Sequence, residues 1–141
     1  MPVSRSEFIE EARTWMGTPW QHHQKCKGVG VDCVMFLVAC GEAFGIPYGT
    51  IENYYRTPVG DSLLQELDKN FNKISFDEVK PGDILVFKAV IKGNPTHVAF
   101  YTGNNRIIHA DMRSKKVTEC NLGFWKRLHV ATFRAPSLMD D

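Results

Sequence analysis

The sequence has few of the features that direct a chain to a nucleic acid, a membrane or a metal. Its 17 basic and 16 acidic residues give a formal net charge of +1, and no block of like charge is longer than Lys115-Lys116. No apolar run approaches the roughly 20 residues of a membrane span. The four cysteines form no Cys-x-x-Cys pair. We therefore expect no nucleic-acid partner, no membrane insertion, and no metal or other cofactor.

The chain is long enough for one compact domain and leaves little room for a second. It has 141 residues, of which 43% are hydrophobic and 23% charged, as in an ordinary globular protein. We expect residues 1–136 to form a single domain and residues 137–141 to form a short flexible tail. The first ten residues lack the basic segment and apolar run of a secretory signal, which predicts synthesis in the cytoplasm without a signal peptide.

The first half of the chain predicts helices. A capping box at Ser4 and Glu7 precedes apolar residues at helical spacing, which predicts a helix over residues 5–16. Asp32 stands at the N-cap of a second helix, residues 33–44, which is apolar almost all round and therefore central and buried. Asp61 is expected to cap a third helix. The length of the loop over residues 17–31 predicts a functional role for it. Residues 46–60 and 88–96 are expected to border a cleft.

The second half predicts strands. The period changes after Pro81-Gly82-Asp83, and the apolar run Ile84 to Phe87 predicts a buried strand. Residues 97–102 and 106–110 flank a Gly-Asn-Asn turn and predict a hairpin. Residues 117–120 and 129–134 add two further strands. Helices followed by strands indicate an α+β fold with a mainly antiparallel sheet.

Cys33 is the best placed of the four cysteines to act as a nucleophile. It occupies the first turn of the central helix, where unpaired N–H groups and the helix dipole lower the pKa of a thiol. Cys40 lies two turns further along the same helix, Cys26 lies in a loop and Cys120 in a late strand. The alternative is that Cys33 is a small buried hydrophobic residue, which is the usual fate of a free cysteine.

Two histidines of the predicted hairpin are candidates for the base that a catalytic thiol needs. His97 and His109 differ by an even number of residues, so their side chains are expected on one face of the sheet if no bulge intervenes. With the turn centred on Asn104, His97 is expected opposite Asp111, and His109 near residues 101–103. The alternative is two unrelated strand histidines.

Four segments together resemble the NlpC/P60 family of cysteine peptidases. In chain order they are the Asp-Cys motif at Gly30-Val31-Asp32-Cys33, the strand entry Pro81-Gly82-Asp83, the strand His97-Val98-Ala99-Phe100-Tyr101-Thr102-Gly103, and the strand Ile107-Ile108-His109-Ala110. Each motif is weak alone, but the four occur in the family's order and span most of the chain.

The resemblance implies a papain-like α+β fold with the nucleophile on a central helix packed against the sheet. It also implies that Cys33 attacks a scissile carbonyl, that His97 is the base and that His109 orients His97. The residues expected beside the substrate or the oxyanion are Asp32, Trp20 and His22. The family's substrates are amide bonds of peptidoglycan stem peptides, often between γ-D-glutamyl and a diamino acid, so a peptidoglycan peptide is the expected partner.

A narrower likeness joins the segments 15–20 and 27–30, Trp125, and residues 131–136. These resemble the NlpC/P60 proteins encoded among phage tail and gene-transfer-agent genes. That likeness implies phage tail proteins as partners, and carriage to the cell wall in a phage-like particle. Export by a dedicated system, as for a secreted antibacterial effector, is the other route.

The chain departs from the family at two places, and other functions stay open. Val34-Met35 follow Cys33 where small residues are usual, and Trp20 stands where the family often has Tyr. Trp offers one N–H donor and cannot replace a hydroxyl fully. The alternatives are a Cys-His acyltransferase on a related scaffold, a non-catalytic phage tail component, and a metal site, whose ligands would be His22, His23, Cys33, His97 and His109.

Overall fold

The computed structural model describes residues 3–48, 62–88 and 93–141. The segments expected to border the cleft, residues 46–60 and 88–96, therefore lie partly outside the described residues. Asp61, the expected cap of the third helix, also lies outside them. In the described part, helices pack against a mainly antiparallel sheet in an α+β fold. None of the described helices is long and apolar enough to cross a membrane.

Three α-helices occur in the described residues: α1 (Arg5–Arg13), α2 (Cys33–Glu42) and α3 (Ser62–Asn70). The hydroxyl of Ser4 accepts a hydrogen bond from the backbone N–H of Glu7 at 3.1 Å, which begins α1 where the capping box predicts. This helix ends three residues earlier than expected, because the chain turns after Arg13. The cap at Asp32 accepts from the N–H of Met35 at 2.9 Å and begins α2.

The main sheet has six strands in the order β4-β9-β5-β6-β7-β8, and every neighbouring pair is antiparallel. The strands are β4 (Asn72–Ile74), β5 (Ile84–Lys88), β6 (Pro95–Gly103), β7 (Arg106–Asp111), β8 (Lys116–Asn121) and β9 (His129–Arg134). Two short pairs lie outside it: β1 (Val3–Ser4) with β10 (Leu138–Met139), and β2 (Lys25–Cys26) with β3 (Gly30–Val31). Short 3-10 helices cover Phe76–Glu78 and Gly123–Leu128.

Helix α2 is central because almost every side chain on it is buried. The ring of Phe36 packs edge-on against Phe100 of β6 at 5.6 Å, and Phe8 of α1 packs against the same ring at 5.0 Å. These contacts fix α2 across β6 and β7. The first turn of α2, and with it Cys33, is thereby held close to the beginning of β6.

The hairpin formed by β6 and β7 turns as predicted, around Asn104, but the expected neighbours of His109 are wrong. Asn104 and Asn105 both have positive φ values, 51° and 60°, which suits a tight hairpin turn. Ile107 pairs with Tyr101 and Ile108 with Phe100. The expectation that His109 lies near residues 101–103 is therefore wrong, because this register carries His109 two residues further toward the start of β6.

The C-terminal residues are ordered, contrary to the predicted flexible tail. Leu138 is buried and pairs in parallel with Val3, and Met139 pairs with Ser4. The carboxylate of Asp140 accepts from the Arg5 guanidinium at 2.9 Å. Composition predicted fraying because these residues are few and terminal, but backbone pairing with β1 holds them in place.

Asp83 of the Pro-Gly-Asp segment joins three parts of the fold through a buried ion-pair network. Its carboxylate is fully buried and accepts from Arg5 of α1 at 3.0 Å and from Arg134 of β9 at 2.8 Å and 3.1 Å. It also accepts from the backbone N–H of Lys80 at 2.8 Å, which closes the turn before β5. The motif thus has a structural role at the entry to β5.

We expect Asp83→Ala to lower the free energy of unfolding by about 3–5 kcal/mol, because the substitution removes the buried carboxylate partner of Arg5 and leaves only the exposed Asp140. Urea unfolding of the purified variant would measure the loss. The matched control is Glu42→Ala, which removes a carboxylate from an exposed pair with Lys25 and should cost less than about 1 kcal/mol. Equal losses in the two variants would contradict the structural role of Asp83.

Candidate active site

Cys33 begins α2, and its side chain reaches the backbone of β6. Its residue exposure is 9%, and its Sγ lies 3.8 Å from the carbonyl oxygen of Thr96. The backbone N–H of Val98 also interacts with the sulfur. Thr96 and Val98 flank His97, so the thiol contacts the strand immediately on both sides of the predicted base.

The pKa of Cys33 is not lowered as its position at a helix N-terminus predicts. Burial raises the pKa of the thiol to about 12, and the neighbouring Asp32 carboxylate adds to the rise. Backbone N–H groups of Val98, Val34 and Cys33 itself act in the opposite direction but are outweighed. The resting thiol is therefore neutral at physiological pH, and a base is needed to make it nucleophilic.

His97 and His109 lie on one face of the sheet, as their parity predicts, and their rings form a hydrogen-bonded pair. The Nε2 atom of His97 lies 2.7 Å from Nδ1 of His109, with the two rings at 69° to each other. This contact occupies Nε2 of His97 and leaves its Nδ1 to exchange a proton with another group. On the far side, Nε2 of His109 lies 3.7 Å from Sγ of Cys120.

Both histidines are neutral at physiological pH. Burial lowers the pKa of His97 well below its usual value, and His109 and the Arg113 cation act in the same direction. Burial likewise lowers the pKa of His109 to about 4; the Asp111 carboxylate opposes this shift and Arg113 adds to it. An uncharged imidazole can accept a proton, so the pair is in the form that a general base requires.

Trp125 encloses the histidine pair and was not predicted as a site residue. Its ring stacks on His97 with centroids 4.8 Å apart and planes 24° apart, and it meets His109 edge-on at 5.1 Å. Trp125 belongs to the 3-10 helix between β8 and β9. Sequence spacing gives no sign of this contact, because it depends on where that helix folds back over the sheet.

The loop before α2 brings Trp20 and His22 toward Asp32, the residue that precedes Cys33. Asp32 is buried, and its Oδ2 accepts from the backbone N–H of His23 at 2.6 Å and lies 4.0 Å from Nδ1 of His22. The ring of Trp20 stacks loosely on His22 at 6.3 Å. Asp32 thus links the cap of α2 to this loop.

Met35 is accommodated in the core, where it is 8% exposed, despite its size relative to the family's usual residue at this position.

Within residues 3–48, 62–88 and 93–141, no group of three or more His, Cys, Asp or Glu residues is arranged to hold a metal ion.

These protonation states predict an asymmetric pH profile for any reaction in which Cys33 and His97 act together. Activity requires neutral His97, whose pKa lies well below its usual value of 6.5. As the pH is lowered, kcat/KM should therefore stay constant through pH 6.5. It should fall by about tenfold per pH unit only below the pKa of His97. Because the Cys33 pKa is about 12, no alkaline fall is expected between pH 7 and 10. Steady-state measurements of kcat/KM from acidic pH to pH 10 test both parts of the expectation. A decline with a midpoint near pH 8 to 9 would instead indicate a resting thiolate–imidazolium pair.

The chain matches the model of the NlpC/P60 family over residues 14–134. It is 28% identical over 120 residues to "Probable endopeptidase NlpC" of Escherichia coli (strain K12), which covers 84% of this chain and 70% of that protein. It is 28% identical over 127 residues to "Murein DD-endopeptidase MepS/Murein LD-carboxypeptidase" of the same strain. This alignment covers 87% of this chain and 58% of that protein. "Gamma-DL-glutamyl hydrolase" of Bacillus subtilis (strain 168) is 25% identical over 123 residues, covering 84% and 26%. This chain thus spans between 26% and 70% of the length of these three relatives.

Solved structures share the fold. An NlpC/P60 family protein from Bacillus cereus ATCC 10987 superposes with a TM-score of 0.75 at 19% identity, over 96% of this chain and 41% of that one. The NlpC/p60 domain of the peptidoglycan hydrolase SagA superposes with a TM-score of 0.68 at 22% identity, over 94% and 99%. The predicted α+β NlpC/P60 fold is confirmed.

Proposed function

Because this chain belongs to the NlpC/P60 family, we propose that it is a cysteine hydrolase that cleaves amide bonds of peptidoglycan stem peptides, with Cys33, His97 and His109 as its catalytic residues. The observation that carries this proposal is the 2.7 Å contact between Nε2 of His97 and Nδ1 of His109. It leaves Nδ1 of His97 available to take a proton, and the thiol lies against the backbone on both sides of His97.

The first half of the reaction forms an acyl-enzyme. Nδ1 of His97 takes the thiol proton as the sulfur of Cys33 attacks the scissile carbonyl carbon. Backbone N–H groups at the start of α2 stabilise the resulting oxyanion, as the N-terminus of a helix can. The C–N bond then breaks, and the His97 imidazolium gives its proton to the leaving amine.

The second half releases the acid. Neutral His97 removes a proton from water, the resulting hydroxide attacks the thioester carbonyl, and the thiolate leaves and is protonated from His97. His109 accepts the Nε2–H of His97 throughout, which keeps Nδ1 unprotonated in the resting enzyme and stabilises the imidazolium when it forms. Each proton that His97 takes up in one step is given to the leaving amine or to the thiolate in a later step, so the scheme needs no cofactor.

The names of the relatives support this substrate class. They are called endopeptidases, a murein endopeptidase/carboxypeptidase and a γ-DL-glutamyl hydrolase. We infer that the bond cleaved here joins γ-D-glutamyl to a diamino acid, in agreement with the resemblance of the four motifs. Asp32, Trp20 and His22 line the approach to Cys33 in this scheme.

The test is digestion of purified peptidoglycan by the wild-type protein, with Cys33→Ala as the blank and products identified by mass spectrometry. New amino termini at the diamino acid, absent from the blank, would support the proposal and identify the bond. Transfer of an acyl group to an added amine or lipid without peptide release would favour the acyltransferase alternative. Absence of any product from either protein would favour a non-catalytic tail component.

We further propose that a phage-like particle carries the protein to the cell wall. The support is the likeness of residues 15–20, 27–30 and 131–136 to the phage tail branch of the family. Mass spectrometry of purified particles from a host that encodes the protein tests this: peptides of this chain should co-purify with tail proteins. Recovery only in culture medium free of particles would favour export by a dedicated system.

A further inference from the structure

The side chains of His97, His109 and Cys120 lie in contact one after another on one face of the sheet. Nε2 of His97 lies 2.7 Å from Nδ1 of His109, and Nε2 of His109 lies 3.7 Å from Sγ of Cys120. Cys120 pairs with Ile107 in the ladder between β7 and β8, two residues from His109 along β7. The ladder therefore fixes the sulfur beside the outer nitrogen of the second histidine.

The outer nitrogen of His109 depends on the protein for a hydrogen-bond partner. The residue is fully buried, at 0% exposure, and a buried N–H group without a partner is costly. Sγ of Cys120 lies within hydrogen-bonding distance of that nitrogen, because sulfur is larger than oxygen and accepts at longer range. Burial raises the pKa of the Cys120 thiol, and the Asp111 carboxylate adds to the rise. His109 therefore faces a neutral thiol.

Protons can be placed along this row in two ways. In the first, His97 donates from Nε2 to Nδ1 of His109, and His109 donates from Nε2 to the sulfur. In the second, the thiol donates to Nε2 of His109, and His109 donates from Nδ1 to Nε2 of His97. The second arrangement leaves the one proton of neutral His97 on Nδ1, which then cannot take a proton from Cys33. Only the first arrangement contains a base.

The charged step of the reaction also requires the first arrangement. Once His97 has taken the proton of Cys33, both of its ring nitrogens are protonated, and its Nε2–H donates to Nδ1 of His109. Neutral His109 then carries its own proton on Nε2, which faces Cys120. If the proton between the rings moves across to His109, that ring still carries a proton on Nε2. The sulfur is therefore the acceptor whenever the pair is charged.

We propose that Cys120 is a positioning residue that holds His109 in its Nε2–H form and thereby keeps Nδ1 of His97 free to act as the base. This inference rests on the proposed function and adds a residue that touches neither the thiol of Cys33 nor the scissile bond in that scheme. A thiol is a weak donor that can also accept. It can receive the imidazole N–H and leave its own S–H unused at little cost.

Two substitutions of Cys120 separate hydrogen bonding from packing. Cys120→Val fills the half-buried position but cannot accept, whereas Cys120→Ser is smaller and keeps an acceptor. With peptidoglycan-derived peptides, kcat should fall about two- to tenfold in Cys120→Val, the range of one hydrogen bond, and stay within about twofold in Cys120→Ser. KM should not change in either variant. Packing alone predicts the reverse order, because valine replaces the apolar contacts better than serine.

The control Cys26→Val removes an exposed thiol of β2 and should keep the wild-type kcat. Proton–nitrogen correlation NMR reads the same question without turnover, because protonated and unprotonated ring nitrogens give separate signals. Near neutral pH, wild-type protein should show His97 and His109 both protonated on Nε2. In Cys120→Val, Nδ1 of both rings should gain proton character, and Cys120→Ser should resemble the wild type.

The spectra and the rates distinguish failure of this inference from failure of the proposed function. Protonation on Nε2 that depends on residue 120 supports the inference even if the wild-type protein hydrolyses no peptide, in which case the hydrolase proposal alone fails. Hydrolysis that is as fast in Cys120→Val as in the wild type, or slower in Cys120→Ser than in Cys120→Val, overturns the inference and leaves the hydrolase. A wild-type ring proton on Nδ1 of His97 or His109, or ring signals that are the same in Cys120→Val, also overturns it.

Discussion

Cys33→Ala is expected to lower kcat/KM for peptidoglycan-derived peptides by on the order of 10⁴-fold or more, because no other group at the N-terminus of α2 can form the acyl-enzyme. The backbone N–H groups and the neighbouring rings stay in place, so the variant should still bind its peptide. Rates from chromatographic separation of the products, together with calorimetric binding, would measure both effects.

Cys40→Ala provides the matched control for this substitution. Cys40 lies on the same helix and is more deeply buried than Cys33, at 0% against 9% exposure. Its loss removes core packing, so it should lower stability by about 1 kcal/mol and leave kcat within about twofold. A Cys33→Ala variant that keeps a tenth of the wild-type rate would exclude Cys33 as the nucleophile.

His97→Ala should be almost as damaging, and its residual activity should depend on pH differently. With a thiol pKa of about 12, roughly one molecule in 10⁵ carries a thiolate at pH 7 without help from a base. We expect kcat/KM at pH 7 to fall by roughly 10³- to 10⁵-fold. The residual rate should then rise about tenfold per pH unit from pH 7 to 10, where the wild-type rate is flat.

His129→Ala is the control for loss of a sheet histidine. His129 lies in β9, is partly buried and has a pKa lowered by burial, but its Nε2 contacts the hydroxyl of Thr132 at 2.9 Å rather than another histidine. This variant should keep the wild-type rate within a few-fold. If the residual activity of His97→Ala did not change with pH, hydroxide-dependent formation of the thiolate would not limit it, and the assignment of His97 as base would be wrong.

The histidine pair shows which features of the site strand periodicity can predict and which it cannot. The even spacing of His97 and His109 correctly placed them on one face, because alternation is a property of every extended strand. The predicted turn centre at Asn104 also agrees with the observed register, in which Tyr101 lies opposite Ile107, but this register places His109 toward residue 99 and not near residues 101–103. A tight contact between the two rings follows from that register and could not be read from spacing alone.

The sequence by itself determined the features that arise from neighbouring residues. The cap at Asp32 begins α2 and places Cys33 in its first turn, and the apolar run after Asp83 forms a buried strand. The order of four motifs also determined the family. Helix capping and strand alternation depend on residues a few positions apart, so they can be predicted from the sequence alone.

Only the tertiary structure decided the protonation states and the surroundings of the site. Burial against the sheet raised the pKa of Cys33, although its helix position predicted the opposite. Trp125 covers His97, and Leu138 pairs with Val3 across the length of the chain. Each of these outcomes depends on groups distant in sequence that exclude water or exchange hydrogen bonds only after folding, because desolvation and long-range pairing are properties of the packed chain.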